Sequence, residues 1–185
     1  SSLVHPQELH SFPTRRSSDL ITEKGFKIGA ILLTHGHFDH IWGAEELRAK
    51  SGARIYAYEK EQPMCESSNL NLSAQMGRAC TIKVDCYRKD GEEIRVGNLK
   101  CRLLATPGHT AGSCCYYFEE DGKLFSGDTL FCQSVGRTDF PTGSMSEIVR
   151  SVKEKLMILP DDVKVYPGHG DTTTIGFERE NNPFL

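Results

Sequence analysis

The chain has 185 residues, enough for one domain with its own hydrophobic core. Hydrophobic residues make up 38% and charged residues 25%, an ordinary globular balance, and no apolar run approaches the roughly 18 residues that a membrane helix needs. A net charge of −3 offers no basic face to nucleic acid and no polybasic anchor to a membrane, so neither partner is expected.

In chain order, residues 1–20 stand apart. Ser11–Leu20 reads SFPTRRSSDL, which matches an in-frame translation of a common sequencing-library adapter. Residues 1–20 are therefore expected to be a non-native segment, and 21–185 the folded domain, shortened at its N-terminus. Ile28–Thr34 reads as a buried strand, Gly43–Lys50 as a short helix and Arg54–Tyr58 as the next strand. Residues 59–90 are ambiguous, with a helical turn near Glu59–Cys65 and then a polar loop. Glu92–Val96 and Leu99–Ala105 flank the turn Gly97-Asn98, and Ser113–Glu119 with Lys123–Ser126 form a hairpin across Asp121-Gly122. Met145–Leu159 is the clearest helix, with Met145, Ile148, Val149, Val152 and Leu156 at helical spacing. Ser144 and Glu147 make its capping box, Pro160 stops it, and Val163–Tyr166 returns as a strand.

Seven cysteines, at 65, 80, 86, 101, 114, 115 and 132, form no Cys-x-x-Cys pair. No charged segment leads into an apolar signal core, so reduced thiols and a cytoplasmic location are expected. Cys101, Cys114 and Cys115 sit in apolar strand-like runs, and Cys132 is read as packed rather than functional.

The chemistry concentrates in a few turns. In THGHFDH (34–40), His35 and His37 are two apart, so in extended backbone both imidazoles point to one side and can reach one ion. Asp39 and His40 follow at once, and a bend there would aim them at a second ion. His109, Asp128 and His169 each follow a short apolar run that breaks into a Gly- or Pro-containing turn, a place where sheet proteins collect ligands. Taken singly, each has an ordinary reading as a turn residue. Together they account for every histidine after residue 20. Imidazoles and carboxylates suit zinc, iron or manganese better than calcium or magnesium.

Four strings in this order, THGHFDH, PGHTAGS, SGDTLF and PGHG, resemble the metallo-β-lactamase superfamily. SVGRTDFPTGS and TTIGFERENNPFL are similar to its glyoxalase II-like, hydroxyacylglutathione hydrolase branch in the compact single-domain form. The resemblance runs from Ile28 to Leu185 and implies an αββα four-layer sandwich of mixed α/β (α+β) class. It implies two divalent ions, zinc first with iron or manganese as alternatives. His35, His37 and His109 would hold one, Asp39, His40 and His169 the other, and Asp128 would bridge. It also implies hydrolysis of a small-molecule thioester, S-D-lactoylglutathione-like and glutathione-derived, by a metal-bridged hydroxide that Asp39 orients. Arg137 would face the glutathionyl carboxylates, and an ion pair with neighbouring Asp139 is the competing role. The family's opening strands and Asp-x-Gly-Gly loop are missing here, as is the C-terminal helical extension of full-length glyoxalase II. Two other functions stay open: a mononuclear-iron persulfide dioxygenase, which needs only two His and one Asp, and a metal-binding protein without turnover.

Overall fold

The computed structural model describes Gly25 and residues 27–185. The expectations for residues 1–20 and for the family's opening strands lie outside the described residues.

Two sheets carry the fold. The smaller joins β1 (Ala30–Leu32), β2 (Arg54–Tyr58) and β3 (Cys86–Arg88), all parallel. The larger has six strands in the order β11 (Thr173–Thr174), β10 (Lys164–Pro167), β7 (Lys123–Gly127), β6 (Cys114–Phe118), β5 (Leu99–Ala105) and β4 (Glu93–Val96). Its β4–β7 run is antiparallel, whereas β10 lies parallel to β7. A small ribbon of β8 (Leu130–Phe131) and β9 (Ser134–Val135) stands apart. Among the described residues there are five α-helices: α1 (Phe38–Ile41), α2 (Ala44–Ser51), α3 (Gln62–Glu66), α4 (Met145–Ser151) and α5 (Ile175–Asn181).

Side-chain alternation along the strands explains the layering. In β6, Cys114 and Tyr116 face a core shared with the small sheet, while Cys115 and Tyr117 face the opposite way, toward α4 and α5. In β2, Ile55 and Ala57 pack under α1 and α2, and Tyr56 and Tyr58 turn to the other sheet. β1 divides likewise, Ile31 one way and Leu32 the other. Three separate cores result: helix to small sheet, sheet to sheet, and large sheet to helix. Three interfaces require four layers, which makes the molecule an αββα sandwich. Sheets covered on both faces also explain why β6 reads CCYYF without polar alternation. Leu124, Ile148, Leu156 and Val165 are wholly buried in the outer core, each of the larger ones contributing roughly 1.5–3 kcal/mol.

Several expectations change in detail. The long helix is α-helical only over Met145–Ser151 and continues as a π-turn over Val152–Leu156, closed by Met157 N–H to the Val152 carbonyl at 2.9 Å. The wider turn keeps Ile148, Val152 and Leu156, spaced four apart, on one buried face. Met145, expected on that face, lies in the first turn and is exposed. Ser144 does cap, accepting from Glu147 N–H at 3.4 Å. All seven cysteines are free, and Cys132, expected to be packed, is exposed beside the β8–β9 turn. Among the described residues no helix is long and apolar enough to cross a membrane.

Candidate metal centre

Five of the seven predicted ligands follow a strand at its carboxyl end. His35 and His37 follow β1, His109 follows β5, Asp128 follows β7 and His169 follows β10. Because β7 and β10 are adjacent and parallel, with Gly127 registered against Pro167, Asp128 and His169 emerge side by side. The bend expected after His37 is the single turn of α1, which carries Asp39 and His40, with Phe38 N–H anchored on the Asn71 carbonyl at 3.0 Å.

All seven residues meet in one cleft. His35, His37 and His109 present ligand atoms within 4.8 Å of one another; so do His35, His40 and Asp128, and so do Asp39, His40 and His169. His37 Nδ1 lies 2.9 Å from His109 Nε2. The His109 Nδ1–H donates to the Arg137 carbonyl at 2.7 Å, which leaves Nε2 with its lone pair toward the cleft. Asp128 faces both halves: its Oδ1 is 3.4 Å from His40 Nε2, and its Oδ2 is 3.7 Å from His109 Nε2 and 3.6 Å from His169 Nε2. His169 Nε2 also reaches Asp39 Oδ2 at 3.1 Å.

This donor set fits divalent ions. His35 Nε2, His37 Nε2, His40 Nε2 and Asp128 Oδ1 are buried without a hydrogen-bond partner. An unpaired buried polar atom costs about 1–3 kcal/mol, and clustering four of them is sensible only where a ligand satisfies them. Gly168 shapes the same space, since a Cβ there would collide with Asp128 Oδ1 and come within 2.8 Å of His40 Cε1.

Burial, reinforced by neighbouring imidazoles, holds His35 well below the ordinary histidine value and His37 down to about 3. His109 is lowered chiefly by burial, against the pull of Asp128 and the Arg137 carbonyl. Burial also presses on His40, but Asp128 and Asp39 outweigh it and its net shift is upward. Asp128 is lowered because His40 and the other imidazoles outweigh its own desolvation. Neutral imidazoles beside an ionised carboxylate are the forms that bind a metal.

The cleft, about 480 Å³, has apolar walls from Phe38, Leu72, Phe131 and Phe140. Arg137 lies on its exposed rim. Its guanidinium makes a bidentate pair with Asp139, Nε to Oδ1 at 2.7 Å, and sits 3.8 Å over the Phe140 ring. The competing ion pair is thus formed, and the backbone of Arg137 holds His109.

Two buried acids at the site escaped the sequence reading. Glu178, in the middle of α5, accepts from Gln133 N–H at 2.8 Å and from Asn182 Nδ2 at 2.8 Å. Asn182 Nδ2 also donates to the Ser134 carbonyl at 3.1 Å. The C-terminal string thereby clamps the β8–β9 wall of the cleft. Glu61 is the second such acid.

A family model described as the metallo-beta-lactamase superfamily matches residues 11–169. The chain is 36% identical over 172 residues to the hydroxyacylglutathione hydrolase GloC of Haemophilus influenzae, covering 89% of this chain and 79% of that protein. The crystal structure of the BLEG-1 B3 metallo-beta-lactamase superposes with a TM-score of 0.88 at 36% identity, covering 92% of this chain and 83% of the other. That of TTHA1623 in a di-iron-bound form gives 0.80 at 34%, covering 92% and 84%.

Proposed function

This chain belongs to the metallo-β-lactamase superfamily, and on that footing we propose that it is a binuclear metallo-hydrolase of thioesters, with S-D-lactoylglutathione-like hydroxyacylglutathiones as its substrates. The observation that carries the two-ion reading is the carboxylate of Asp128, whose Oδ1 approaches His40 while its Oδ2 approaches His109 and His169. A closed structural site needs four ligands, and seven converging ones suit two ions with positions left open for water and substrate. The similarity to GloC supports the thioester class.

His35, His37 and His109 would hold one ion, Asp39, His40 and His169 the other, and Asp128 both. Zinc is the first assignment, with iron or manganese suited to the same imidazole and carboxylate donors. When bound, such a pair supplies a water acidified toward neutral pH and a counter-charge for the developing oxyanion. Asp39 would orient the attacking water, and its Oδ2 lies 3.1 Å from His169 Nε2, as two ligands of one ion would. The Arg137 carbonyl fixes the His109 tautomer throughout. Phe38, Leu72, Phe131 and Phe140 exclude bulk water from the carbonyl carbon, and the Arg137 side chain on the rim meets a substrate carboxylate by exchanging it for Asp139.

Metal content per chain, measured together with turnover, tests this reading. Two ions per chain and hydrolysis of S-D-lactoylglutathione are expected. One iron with oxygen-dependent consumption of glutathione persulfide, and no thioester hydrolysis, would select the dioxygenase instead. Two ions without turnover of any thioester would leave a metal-binding protein.

A further inference from the structure

Glu61 ends a single 3-10 turn (Glu59–Glu61) after β2, amid the charged run Glu59-Lys60-Glu61, yet it is 1% exposed. Among the described residues no cation pairs with it. Instead, donors from two metal loops converge on its carboxylate. Gly36 N–H, between His35 and His37, donates to Oε1 at 2.7 Å. Thr110 Oγ1, next to His109, donates to Oε2 at 2.8 Å, and Gly112 packs against the same oxygen. The orientation of these bonds is relayed further out. Thr110 N–H donates to Ser113 Oγ at 2.9 Å, and the Ser113 hydroxyl, 2.7 Å from Thr110 Oγ1, donates back, which leaves the Thr110 proton for Glu61.

The glycines at this junction point the same way. A Cβ on Gly112 would collide with Glu61 N and Oε2, and one on Gly36 would come within 2.8 Å of Met64 Cγ and 3.2 Å of Cys65 N. The segment Glu59–Glu66 is therefore wedged against the backbone of both loops, and each loop has a glycine where the approach is closest. The loops start from different sheets, His35 and His37 from the small one and His109 from the large one.

We infer that Glu61 is a positioning residue that sets the span between the His35–His37 pair and His109, bridging the two loops through Gly36 N–H on one side and the Thr110 hydroxyl on the other. It touches none of the seven ligands and acts through the backbone that carries them. A group that can accept at both ends is required, because a donor meets each of its oxygens. An amide would set its own N–H₂ against one of them. The inference rests on the metal centre and is independent of the substrate.

The test uses the full chain and zinc, with Glu61→Gln, Thr110→Val and Thr110→Ser. Zinc affinity is read by chelator competition, and ligand geometry by the visible spectrum of the cobalt(II) form. Partners just outside a metal's ligand shell typically contribute 10- to 100-fold in affinity, so Glu61→Gln should weaken the tighter zinc by roughly that factor and alter the cobalt bands. Thr110→Val should weaken it in the same direction, and Thr110→Ser, which keeps the hydroxyl, should restore wild-type binding. Glu61→Gln protein that folds, binds zinc as tightly as wild type and keeps its cobalt spectrum overturns the inference. Should Glu61→Gln fail to fold, equal zinc affinity in Thr110→Val and Thr110→Ser overturns it instead. Failure of the parent protein to bind zinc would remove the metal centre itself, whereas zinc binding without thioester turnover would touch only the proposed reaction.

Discussion

The main-chain carbonyl of Arg137 accepts the Nδ1–H of His109 at 2.7 Å, so a residue whose side chain points to the rim of the cleft orients an imidazole in its interior. The two roles separate in Arg137→Ala, which keeps the carbonyl and removes the guanidinium. Metal content should stay at two ions per chain, while KM for a glutathione thioester rises about fivefold, roughly 1 kcal/mol for an exposed charged contact, with kcat little changed. Atomic emission and steady-state kinetics decide it, and an unchanged KM would remove the side chain from the substrate site.

Asp128→Ala removes the one carboxylate that faces both halves of the centre. Metal content should fall below two per chain and thioester hydrolysis by roughly 100-fold or more. Two tightly held ions in this variant would show that the carboxylate is not shared.

The stability of the metal-free protein should fall toward acid. His35, His37 and His109 all lie below the ordinary histidine value of 6.5, His37 at about 3. The unfolded chain therefore binds more protons than the folded one as pH drops through 6.5, and stability present above that value is lost. Glu61 opposes this. Burial pushes it up to about 7 from 4.5, so its protonation in the folded state adds stability across that interval. His40, raised by Asp128 and Asp39, opposes it in the same sense. The three lowered histidines outweigh these two groups, and the Tm of chelator-treated protein should be lower at about pH 5 than at about pH 7.5. A Tm at about pH 5 equal to or above that at about pH 7.5 would contradict the buried, neutral histidines.

Glu178→Ala should unpin Gln133 and loosen the strip Phe131–Val135 that walls the cleft. Losing a buried acceptor of several hydrogen bonds costs about 2–4 kcal/mol, with Glu178→Gln milder. Denaturant unfolding measures the loss, and KM should rise in whichever variant still folds. Unchanged stability and KM would show that the C-terminal string does not brace this wall.

The strands around the motifs were legible because they are apolar, end in turns and lie between packed layers; Arg54–Tyr58 and Leu99–Ala105 match their predicted bounds. The seven clustered residues were legible because metal ligands must be polar in otherwise apolar surroundings. β3 was not, since Cys86–Arg88 is three half-buried residues whose parallel partner, β2, lies about 30 residues away, beyond any local periodicity. Nor was α5, seven residues long and mostly polar, whose burial centres on an acid. Glu61 and Glu178 share one cause: hydropathy assigns a glutamate to solvent, and only the convergence of distant N–H and O–H donors brings it inside.

Parallel pairing of β7 with β10 gives the centre a built-in ruler. Neighbouring strands are held about 4.8 Å apart by their ladder, and Asp128 and His169 both follow its last pair, Gly127 with Pro167, so their separation is set by peptide geometry before any metal arrives. An ion of different radius cannot stretch that ladder cheaply. The adjustment must fall on the opposite bank, where His35, His37 and the single turn of α1 hang from the small sheet. Exchange of one metal for another should therefore register as movement of residues 34–41, with the large sheet as the fixed jaw.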